Sequence, residues 1–364
     1  MKRIVMLGTA FDTKGGISSV VNVYRADGLF QRHPITYLAT HCDGSYLRKL
    51  GAMLRAWFRF MALLLTGQVA LAHVHMSSRA SFWRKLTFSA PTIWLGAPLI
   101  LHLHSGGFTD FYEHECGPVG RLCVRWLFKR AARVVALSDA RAQWIRTVLM
   151  RQDVHVIYNP VAVPEAVAEA DRRQAGLGLF LGQMARKKGI FDLLEAVAQL
   201  RHQGVSARLA LAGDGEVAEV GQAIARLGLQ GDVQMLGWIG SAQKDKLLRE
   251  ASFLALPSHH EAMPMSVLEA MAMGLPVVST PVGGIPEAVT DGVEGFLVQP
   301  GDVAALADRI GRLIQDPALA ARMGRLARQK VERVFVASVL VPQVEALYDE
   351  FLPRQRPVPL GGSR

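Results

Sequence analysis

Hydrophobic and polar positions in the first half of the chain alternate between short apolar runs and longer segments with helical periodicity. Lys2–Thr9 contains the first apolar run, and a turn and an apolar-periodic helix from Ile17 follow it. A long helix is predicted over Ser45–Leu65. Short buried strands separated by helices are typical of a parallel sheet that is covered on both faces. The other strands predicted in this half are Ile35–Thr40, Val69–His75, Pro98–His104, Arg133–Leu137 and Val154–Tyr158.

The same pattern restarts after Asn159–Ala175, a segment of proline and mixed charge that we interpret as a linker. The tail Pro353–Arg364 is rich in proline, glycine and arginine and is expected to be frayed. The strands predicted in this half are Gly178–Gly182, Arg208–Ala212, Val233–Leu236, Phe253–Leu256, Pro276–Ser279 and Gly295–Val298. The last helices are predicted at Val303–Gln315, Ala318–Arg333 and about Val339–Phe351.

The two alternations predict an α/β protein with two Rossmann-like domains that face each other across a cleft. A chain of 364 residues exceeds what one hydrophobic core ordinarily supports. We predict a first domain at 1–165 and a second at 176–338, with a helix at about 339–352 that packs back on the first. Open α/β sheets bind ligands beyond the carboxyl ends of their strands, so functional residues are expected in the loops that face the cleft.

Charge is distributed unevenly between the two halves. Residues 1–165 carry 20 Lys and Arg against 9 Asp and Glu, whereas residues 166–364 carry 21 against 22, so the net charge of +10 originates in the first half. A basic surface attracts phosphates, nucleic acid or anionic lipid, and it can also serve only for solubility. Composition alone leaves these interpretations open.

The cysteines and the apolar stretches indicate the cellular compartment of the protein. Cys42, Cys116 and Cys123 form no C-x-x-C pair, which favours reduced thiols in the cytoplasm. The apolar run from Ile4 to Phe11 is too short for a convincing signal peptide. Charge-free stretches at 60–78 and 86–109 contain turn residues and histidines, so each is more typical of a helix, a turn and a buried strand than of a membrane span.

Two carboxylates flank a predicted helix start in the second half. Glu261 follows the strand Phe253–Leu256 and Glu269 lies eight residues later, with Met265 and Ser266 near the first helical turn. Free amides at a helix start suit a diphosphate, whereas carboxylates accept hydrogen bonds from sugar hydroxyls. A capped surface helix with two solvated acids is an equally open interpretation of these residues.

The segment from His259 to Ala272 closely resembles the E-x7-E motif of the retaining glycosyltransferase family 4, which has the GT-B fold. Gly283-Gly284-Ile285-Pro286-Glu287 and Gly295-Phe296-Leu297-Val298 are also similar to that family. The resemblance implies a nucleotide-sugar donor held mainly by the second domain and an acceptor held mainly by the first. It also implies that Glu261 contacts the hydroxyls of the donor sugar and that Glu269 contacts the ribose.

A cationic turn precedes the first helix of the second domain. Arg186, Lys187 and Lys188 are positioned to neutralise the charge of a departing diphosphate, although a solvated basic turn has the same sequence. The resembled family has an arginine where this chain has Gln183, while Lys188 and the following Gly189 match it. We expect Lys188 to be catalytic and Arg186 to replace the missing arginine.

Two further segments complete the candidate site. Gly15 and Gly16 follow the first strand and allow the backbone to approach a ligand, and the resemblance places this loop against the donor phosphate and the acceptor. His102 and His104 alternate along one strand, so they point the same way, and His104 ends the strand at the cleft. By resemblance, His104 contacts the donor sugar or the acceptor. His73 and His75 end another strand and are interpreted as lining the same cleft.

Two alternative uses of these residues remain. A zinc site is conceivable, although its spacing fits no standard finger and no metal is expected. Cationic helices with aromatic residues suit an anionic membrane surface, and they are equally typical of ordinary amphipathic helices. The zinc candidates are His102, His104, His114, Cys116 and Cys123, and the cationic positions are Arg48, Lys49, Arg55, Arg59, Arg121, Arg125, Lys129 and Arg133.

Together these observations predict a sugar transferase that acts with retention on a UDP- or GDP-linked donor. No cofactor is expected, since no D-x-D pair is present to hold a metal against the diphosphate. The acceptor is expected to be a lipid-linked or exopolysaccharide glycan, because His104-Ser105-Gly106-Gly107-Phe108 with Phe111-Tyr112 is similar to that branch of the family. We expect a cytoplasmic protein that contacts the inner face of the membrane peripherally, and no nucleic-acid partner. The alternatives are a nucleotide-sugar epimerase of the same fold and a non-catalytic nucleotide-sugar sensor.

Overall fold

The computed structural model describes residues 2–164 and 173–352, and within them the chain forms two parallel six-stranded sheets. The first sheet has the order β2-β1-β3-β4-β5-β6. Its strands are β1 Arg3–Gly8, β2 Ile35–Ala39, β3 Val69–Met76, β4 Leu99–Leu103, β5 Arg133–Ala136 and β6 His155–Val156. Its helices are α1 Gly16–Ala26, α2 Leu29–Arg32, α3 Tyr46–Leu65, α4 Ala80–Trp94, α5 Phe108–Asp110, α6 Pro118–Arg130 and α7 Asp139–Val148, with a π-helix at Phe111–Glu115.

The second sheet has the order β12-β11-β10-β7-β8-β9. A short 3-10 turn, Arg186–Lys188, connects its first strand to the next helix. The strands are β7 Leu177–Leu181, β8 Arg208–Ala212, β9 Val233–Gly237, β10 Phe253–Leu256, β11 Val277–Ser279 and β12 Gly295–Leu297. The helices are α8 Ile190–His202, α9 Val217–Arg226, α10 Ser241–Glu250, α11 Met265–Ala272, α12 Ile285–Ala288, α13 Val303–Gln315, α14 Pro317–Val334 and α15 Ala337–Asp349.

The predicted α/β class is confirmed, and each of the twelve predicted strands is present with ends that differ by no more than two residues. The strands could be predicted because both faces are covered. On β1, Val5 and Leu7 pack into the hydrophobic cluster on one face, whereas Ile4 and Met6 pack into the cluster on the other.

Local sequence determines where several helices begin. The Ser45 side chain caps α3 by accepting a hydrogen bond from the backbone N–H of Arg48. Asp302 caps α13 in the same way, and Asp316 caps α14, whose first residue is Pro317. Such caps satisfy amides that have no partner within the helix, and proline suits the first turn because it has no N–H there.

The C-terminal helix α15 returns to the first sheet. Its residues Leu340, Val344 and Leu347 lie in the same cluster as Ile4 and Met6 of β1. Each such side chain contributes about 1.5–3 kcal/mol when fully buried. The domain limits at 165 and 176 stay predictions.

Part of the predicted linker is packed into the structure. Asn159 and Val161 are buried, and Val161 forms a parallel β-bridge with Val336. Residues 165–172 of the linker and the tail at 353–364, which we expected to be frayed, lie outside the described residues.

In each sheet, the direction in which successive strands are added reverses at a strand that precedes a candidate loop. In the first sheet β2 lies on one side of β1 and β3 on the other, and in the second sheet β8 and β10 flank β7. A crevice opens at such a switch point, beyond the carboxyl ends of the strands. The Gly15-Gly16 loop follows β1, and the turn that carries Lys188 follows β7.

Candidate active site

A cleft of about 1550 Å³ opens between the two sheets. Loops from the first sheet and from the second both line it. Of the predicted site residues, the structure brings together Gly15, Gly16, His104, Lys188, Glu261, Met265, Ser266 and Glu269 on its walls.

Glu261 and Lys188 form an ion pair at the cleft wall. The Lys188 Nζ atom lies 2.5 Å from Glu261 Oε1, and Ser258 Oγ donates to the same oxygen at 2.9 Å. Glu261 is buried, so its carboxylate needs these partners. One of the two carboxylate oxygens is therefore held toward Lys188 and Ser258, and the carboxyl group stands at the cleft.

Two close approaches fix the position of this pair. Gly189 has φ of +68°, and a Cβ there would lie 1.9 Å from the carbonyl oxygen of Pro257, so the turn after Lys188 requires glycine. A Cβ on Gly106 would lie 2.3 Å from the carbonyl carbon of Glu261. Gly106 follows β4 of the first sheet, so its backbone closes directly against the Glu261 loop of the second domain.

Glu269 forms a second acid–base pair on the same wall. Its Oε1 atom lies 2.7 Å from Lys244 Nζ of α10. Burial raises the pKa of the Glu269 carboxyl, and the neighbouring Lys244 ammonium opposes part of that change. A ligand hydroxyl that donates to Glu269 would therefore meet a carboxylate that is poorly solvated.

Two helix N-termini open into the cleft. Gly15 and Gly16 begin α1, and Met265 and Ser266 begin α11. Neither helix carries an acidic residue in its first turn. The first amides of a helix have no acceptor within it and carry a partial positive charge, so both ends favour an anion.

Arg186 does not line the cleft, and its predicted role at the donor phosphate does not fit its position. Its guanidinium lies 4.5 Å from the ring centroid of Phe191 and faces a smaller cavity of about 380 Å³ that Asp192 and His259 also line. Successive residues of a 3-10 turn point about 120° apart, so Arg186 and Lys188 leave the turn in different directions.

His104 reaches the cleft, but the other histidines lie beneath it. His73, His75 and His102 are completely buried, so the interpretation of His73 and His75 as cleft residues was wrong. His75 Nδ1 lies 2.8 Å from His104 Nε2, and His73 Nε2 lies 3.2 Å from His102 Nδ1. His73 Nδ1 is 2.6 Å from the hydroxyl of Tyr348 on α15.

The buried position keeps this histidine stack neutral. Desolvation lowers the pKa of His104 to about 3 and that of His73 to about 3. Burial also lowers the pKa values of His75 and His102 well below the usual value. The imidazoles therefore act as neutral hydrogen-bonding groups at physiological pH.

The residues weighed as an alternative zinc site do not form one cluster. In residues 2–164 and 173–352 the one group of histidine, cysteine and acidic ligand atoms within metal-binding range is His73, His75 and His102, whose atoms lie within 4.8 Å of one another. Cys116, Cys123 and His114 are not part of it.

The two domains match two models of sugar-transferring enzymes. Residues 4–163 match the model described as Glycosyltransferase Family 4, and residues 170–330 match the model described as Glycosyl transferases group 1. The chain carries a family 4 and a group 1 glycosyltransferase domain.

Curated relatives and a solved structure agree with these matches. The alpha-D-kanosaminyltransferase of Streptomyces kanamyceticus is 27% identical over 298 residues, 77% of this chain and 76% of that enzyme. Glycogen synthase of Mycobacterium tuberculosis is 32% identical over 187 residues, 50% of this chain and 45% of its own length. The crystal structure of HepE from Anabaena in complex with UDP has a TM-score of 0.75 at 21% identity and covers 96% of this chain and 100% of that one. The fold is GT-B.

In the group 1 domain, Gln183 replaces the expected arginine and lines the cleft. A Cβ on Gly215 would lie 3.1 Å from the Gln183 side chain, so the loop after β8 packs against it. Arg186 does not take this position because it faces the smaller cavity, whereas Lys187 and Lys188 of the same turn line the cleft with Gln183.

Several cleft residues were not identified from the sequence. Lys14 Nζ lies 3.3 Å from Asp214 Oδ2 and 4.8 Å from the ring centroid of Trp238, so it connects the two domains across the cleft. Lys244 and Asn159 also line the cleft. The Gly213-Asp214-Gly215 turn directly after β8 was a signal that could have indicated Asp214.

Among the residues that the structure describes, no helix is both long and apolar enough to cross a bilayer.

Proposed function

We propose that this protein transfers a sugar from a UDP- or GDP-linked donor to an acceptor hydroxyl with retention of anomeric configuration. The observation that carries the proposal is the Lys188–Glu261 pair, which stands in a cleft where two helix N-termini also open. A cation and an anion in contact can each find a new partner on a ligand that carries a diphosphate next to a polyhydroxylated ring. Both kinds of group are present on a nucleotide sugar.

The donor diphosphate would lie against the amides of Gly16, Met265 and Ser266 and would draw the ammonium of Lys188 toward it. Glu261 would then accept hydrogen bonds from the sugar hydroxyls, and Glu269 from the ribose. Lys188 would stabilise the charge that develops as the diphosphate departs, which is the main electrostatic demand of the reaction.

The reaction itself exchanges one bond at the anomeric carbon for another. The bond to the β-phosphate oxygen breaks while the acceptor oxygen forms a bond on the same face of the ring. The acceptor proton passes to the departing phosphate oxygen, so no protein base is required. His104 would contact the sugar or the acceptor as a neutral group. We propose that the reaction needs no metal, because cations and helix amides supply the positive charge.

The acceptor is proposed to be a glycan attached to a lipid or a growing exopolysaccharide, reached from the cytoplasmic face of the membrane. Support comes from the outer layer of the first domain. The chain has no Asp or Glu from Gly44 to Thr109, nor from Cys116 to Ser138. These ranges contain α3, α4 and α6, which pack side by side over the first sheet, with Trp94 of α4 6.1 Å from Trp126 of α6.

Large apolar side chains are exposed on this acid-free layer. Tyr46 and Leu47 of α3 are each 77% exposed, and Trp94 of α4 is 74% exposed. Exposed Arg55 and Arg59 lie beside Phe58 on α3. Apolar side chains next to cations, with no anion among them, suit the interface of an anionic bilayer.

The function is tested by a thermal-shift panel of nucleotide sugars followed by product analysis. A bound donor raises the melting temperature by mass action, so the panel identifies base and sugar. We expect one class of donor to stabilise the protein and to be consumed only when an acceptor is added. Isomerised donor without acceptor would instead indicate an epimerase, and binding without turnover across an acceptor panel would indicate a sensor.

A further inference from the structure

The His75–His104 contact joins the cleft to a completely buried ring. His75 Nδ1 lies 2.8 Å from His104 Nε2, so one of these two nitrogens donates a proton and the other accepts it. The opposite nitrogen of His75, Nε2, is buried and has no hydrogen-bond partner among the described residues. His104 lines the cleft, whereas His75 is fully enclosed beneath it.

The unpartnered nitrogen decides the direction of this hydrogen bond. A neutral imidazole carries one N–H and one lone pair. If His104 donated to His75, the proton of His75 would sit on Nε2 as a buried N–H without an acceptor, which proteins rarely tolerate. If His75 donates from Nδ1, its Nε2 is only an unfilled acceptor. The second arrangement is favoured, because a buried acceptor without a partner costs less free energy than a buried N–H without a partner.

The proton on His104 follows from that direction. When Nε2 of His104 accepts from His75, the single proton of the neutral His104 ring must lie on Nδ1. The Asn159 side chain is available to accept such a proton: its amide nitrogen donates to the carbonyl of Met263 at 2.9 Å, its buried oxygen has no hydrogen-bond partner among the described residues, and, against the larger effect of burial, its proximity raises the pKa of His104. Asn159 also lines the cleft next to His104.

A second proton on the pair is disfavoured by its surroundings. Lys85 is buried below the same edge of the sheet and donates to the carbonyl of Gly8 at 3.1 Å. Burial of the rings, and to a lesser extent the nearby Lys85, lowers the pKa values of both His75 and His104. The pair therefore keeps one defined tautomer rather than a mixture of charged states.

We propose that His75 is a positioning residue that fixes His104 as the Nδ1–H tautomer, so that His104 donates a hydrogen bond to an oxygen of the bound sugar or acceptor. His75 contacts no ligand itself. A substrate oxygen that approaches His104 on the cleft side would meet an N–H, next to the Asn159 oxygen that has no partner of its own among the described residues. The kinetic consequence rests on the proposed function, whereas the tautomer itself does not.

The tautomer is measured directly by ¹⁵N–¹H NMR of protein with labelled histidine, in which His104→Gln identifies the His104 signals. The expected spectrum shows His104 protonated at Nδ1 between pH 6 and 8. Protonation at Nε2, or a rapidly exchanging mixture, would overturn the proposal whether or not the protein transfers sugar. This experiment uses the unaltered chain as the main sample and so does not depend on the folding of a variant.

Three replacements of His75 then separate positioning from packing. Asparagine retains a donor near the Nδ1 position, aspartate supplies an acceptor that reverses the hydrogen bond, and leucine supplies neither. We expect kcat to fall at least 10-fold in His75→Leu and His75→Asp with little change in the KM of the donor, and to recover in His75→Asn. His73→Leu is the matched control, since it removes an equally buried ring from the same face of β3 that does not contact His104, and it should leave the His104 signals unchanged.

Equal losses of kcat in all three His75 variants, with His104 still protonated at Nδ1, would overturn the positioning role. If the unaltered protein transfers no sugar at all, the proposed function fails while the NMR result still decides the tautomer.

Discussion

The C-terminal wall of the cleft holds two acid–base pairs, Lys188–Glu261 and Lys244–Glu269, whereas the N-terminal wall presents glycine amides, a neutral histidine and Lys14, which is paired across the cleft with Asp214. In a pair of this kind, each residue can exchange its partner for a ligand group that carries the same charge as that partner. Neutral groups can only donate or accept hydrogen bonds. We infer that the two walls are suited to different parts of the reaction: the C-terminal wall supplies both acid–base pairs that a ligand can separate, and the N-terminal wall supplies helix amides and the histidine that orients the sugar or the acceptor.

The outer surfaces of the two domains differ as well. Within the described residues, twelve large hydrophobic side chains are exposed before residue 151 and four after residue 216. The first domain also carries the whole positive excess of the chain. The domain that contributes His104 to the cleft therefore has the surface that suits an anionic bilayer, which agrees with an acceptor that approaches from that side.

Replacing Lys188 on the C-terminal wall should cause the largest loss of activity. Lys188→Ala removes the cation nearest to the departing diphosphate, and we expect kcat to fall about 100- to 1000-fold. Arg186→Ala removes an equal charge two residues away that faces Phe191 instead, and it should change kcat by roughly threefold or less. Steady-state kinetics of both variants measures the contrast, and similar losses in the two would mean that only the charge of the turn matters.

The buried histidines beneath the cleft should make the protein sensitive to acid. Unfolded histidine takes up a proton below about pH 6.5, while folded His73 resists protonation down to a pKa of about 3, so stability is present above the first value and is lost as pH falls toward the second. We expect His73→Leu to reduce the loss of unfolding free energy between pH 7.5 and 4.5 by about 2 kcal/mol.

Urea denaturation of wild type and His73→Leu at the two pH values checks this prediction. The change with pH is compared rather than the absolute stability, since the variant also loses the contact with Tyr348. Identical pH dependence in the two proteins would show that the buried stack is not the source of acid sensitivity.

Replacing Glu269 should have a moderate effect on donor binding and should also change how stability depends on pH. Glu269→Gln removes a carboxylate acceptor, and we expect the donor Kd to rise about 10-fold, the equivalent of one charge-assisted hydrogen bond. Because the folded pKa of Glu269 is raised, its carboxyl favours folding most at low pH, and this contribution is lost as pH rises above about 4.3 through the raised value. The melting temperature of the variant relative to wild type should therefore increase between pH 5 and 8, and a relative decrease would contradict the assignment.

The smallest effect is expected at the outer surface. Arg55→Gln with Arg59→Gln removes two exposed cations from α3, and each is worth about 1 kcal/mol at an anionic bilayer. Co-sedimentation with vesicles that contain phosphatidylglycerol should fall roughly 10-fold or more, with turnover of a soluble acceptor unchanged. Arg322→Gln with Arg325→Gln is the matched control, because it removes two exposed cations from α14 of the other domain. Binding that ignores anionic lipid content, or that falls equally in both variants, would exclude docking through α3.

The parts of the fold that were predicted from the sequence are those with a local signal. The strands are continuous apolar runs because both faces are covered, and Glu261 and Lys188 lie in motifs next to such strands. Arg186 could not be placed, since its direction depends on a single 3-10 turn whose geometry the sequence does not reveal.

Contacts between distant residues account for the rest. The Lys14–Asp214 pair joins residues 200 positions apart, and Lys244 meets Glu269 only because α10 and α11 are adjacent at the cleft. Alternation correctly put His102 and His104 on one face of β4. It gave no information that α15 would cover that face and bury three of the four histidines, with Tyr348 in contact with His73.

The central claim, that Lys188 and Glu261 meet one activated sugar, is tested most directly by calorimetry on wild type and Glu261→Gln. Each protein is titrated with the nucleoside diphosphate and with the nucleotide sugar that the thermal-shift panel selects. We expect the variant to bind the diphosphate as wild type does but to bind the nucleotide sugar about 10-fold more weakly, because only the sugar hydroxyls contact Glu261. Equal affinities of the two proteins for both ligands, or equal losses for both, would contradict it.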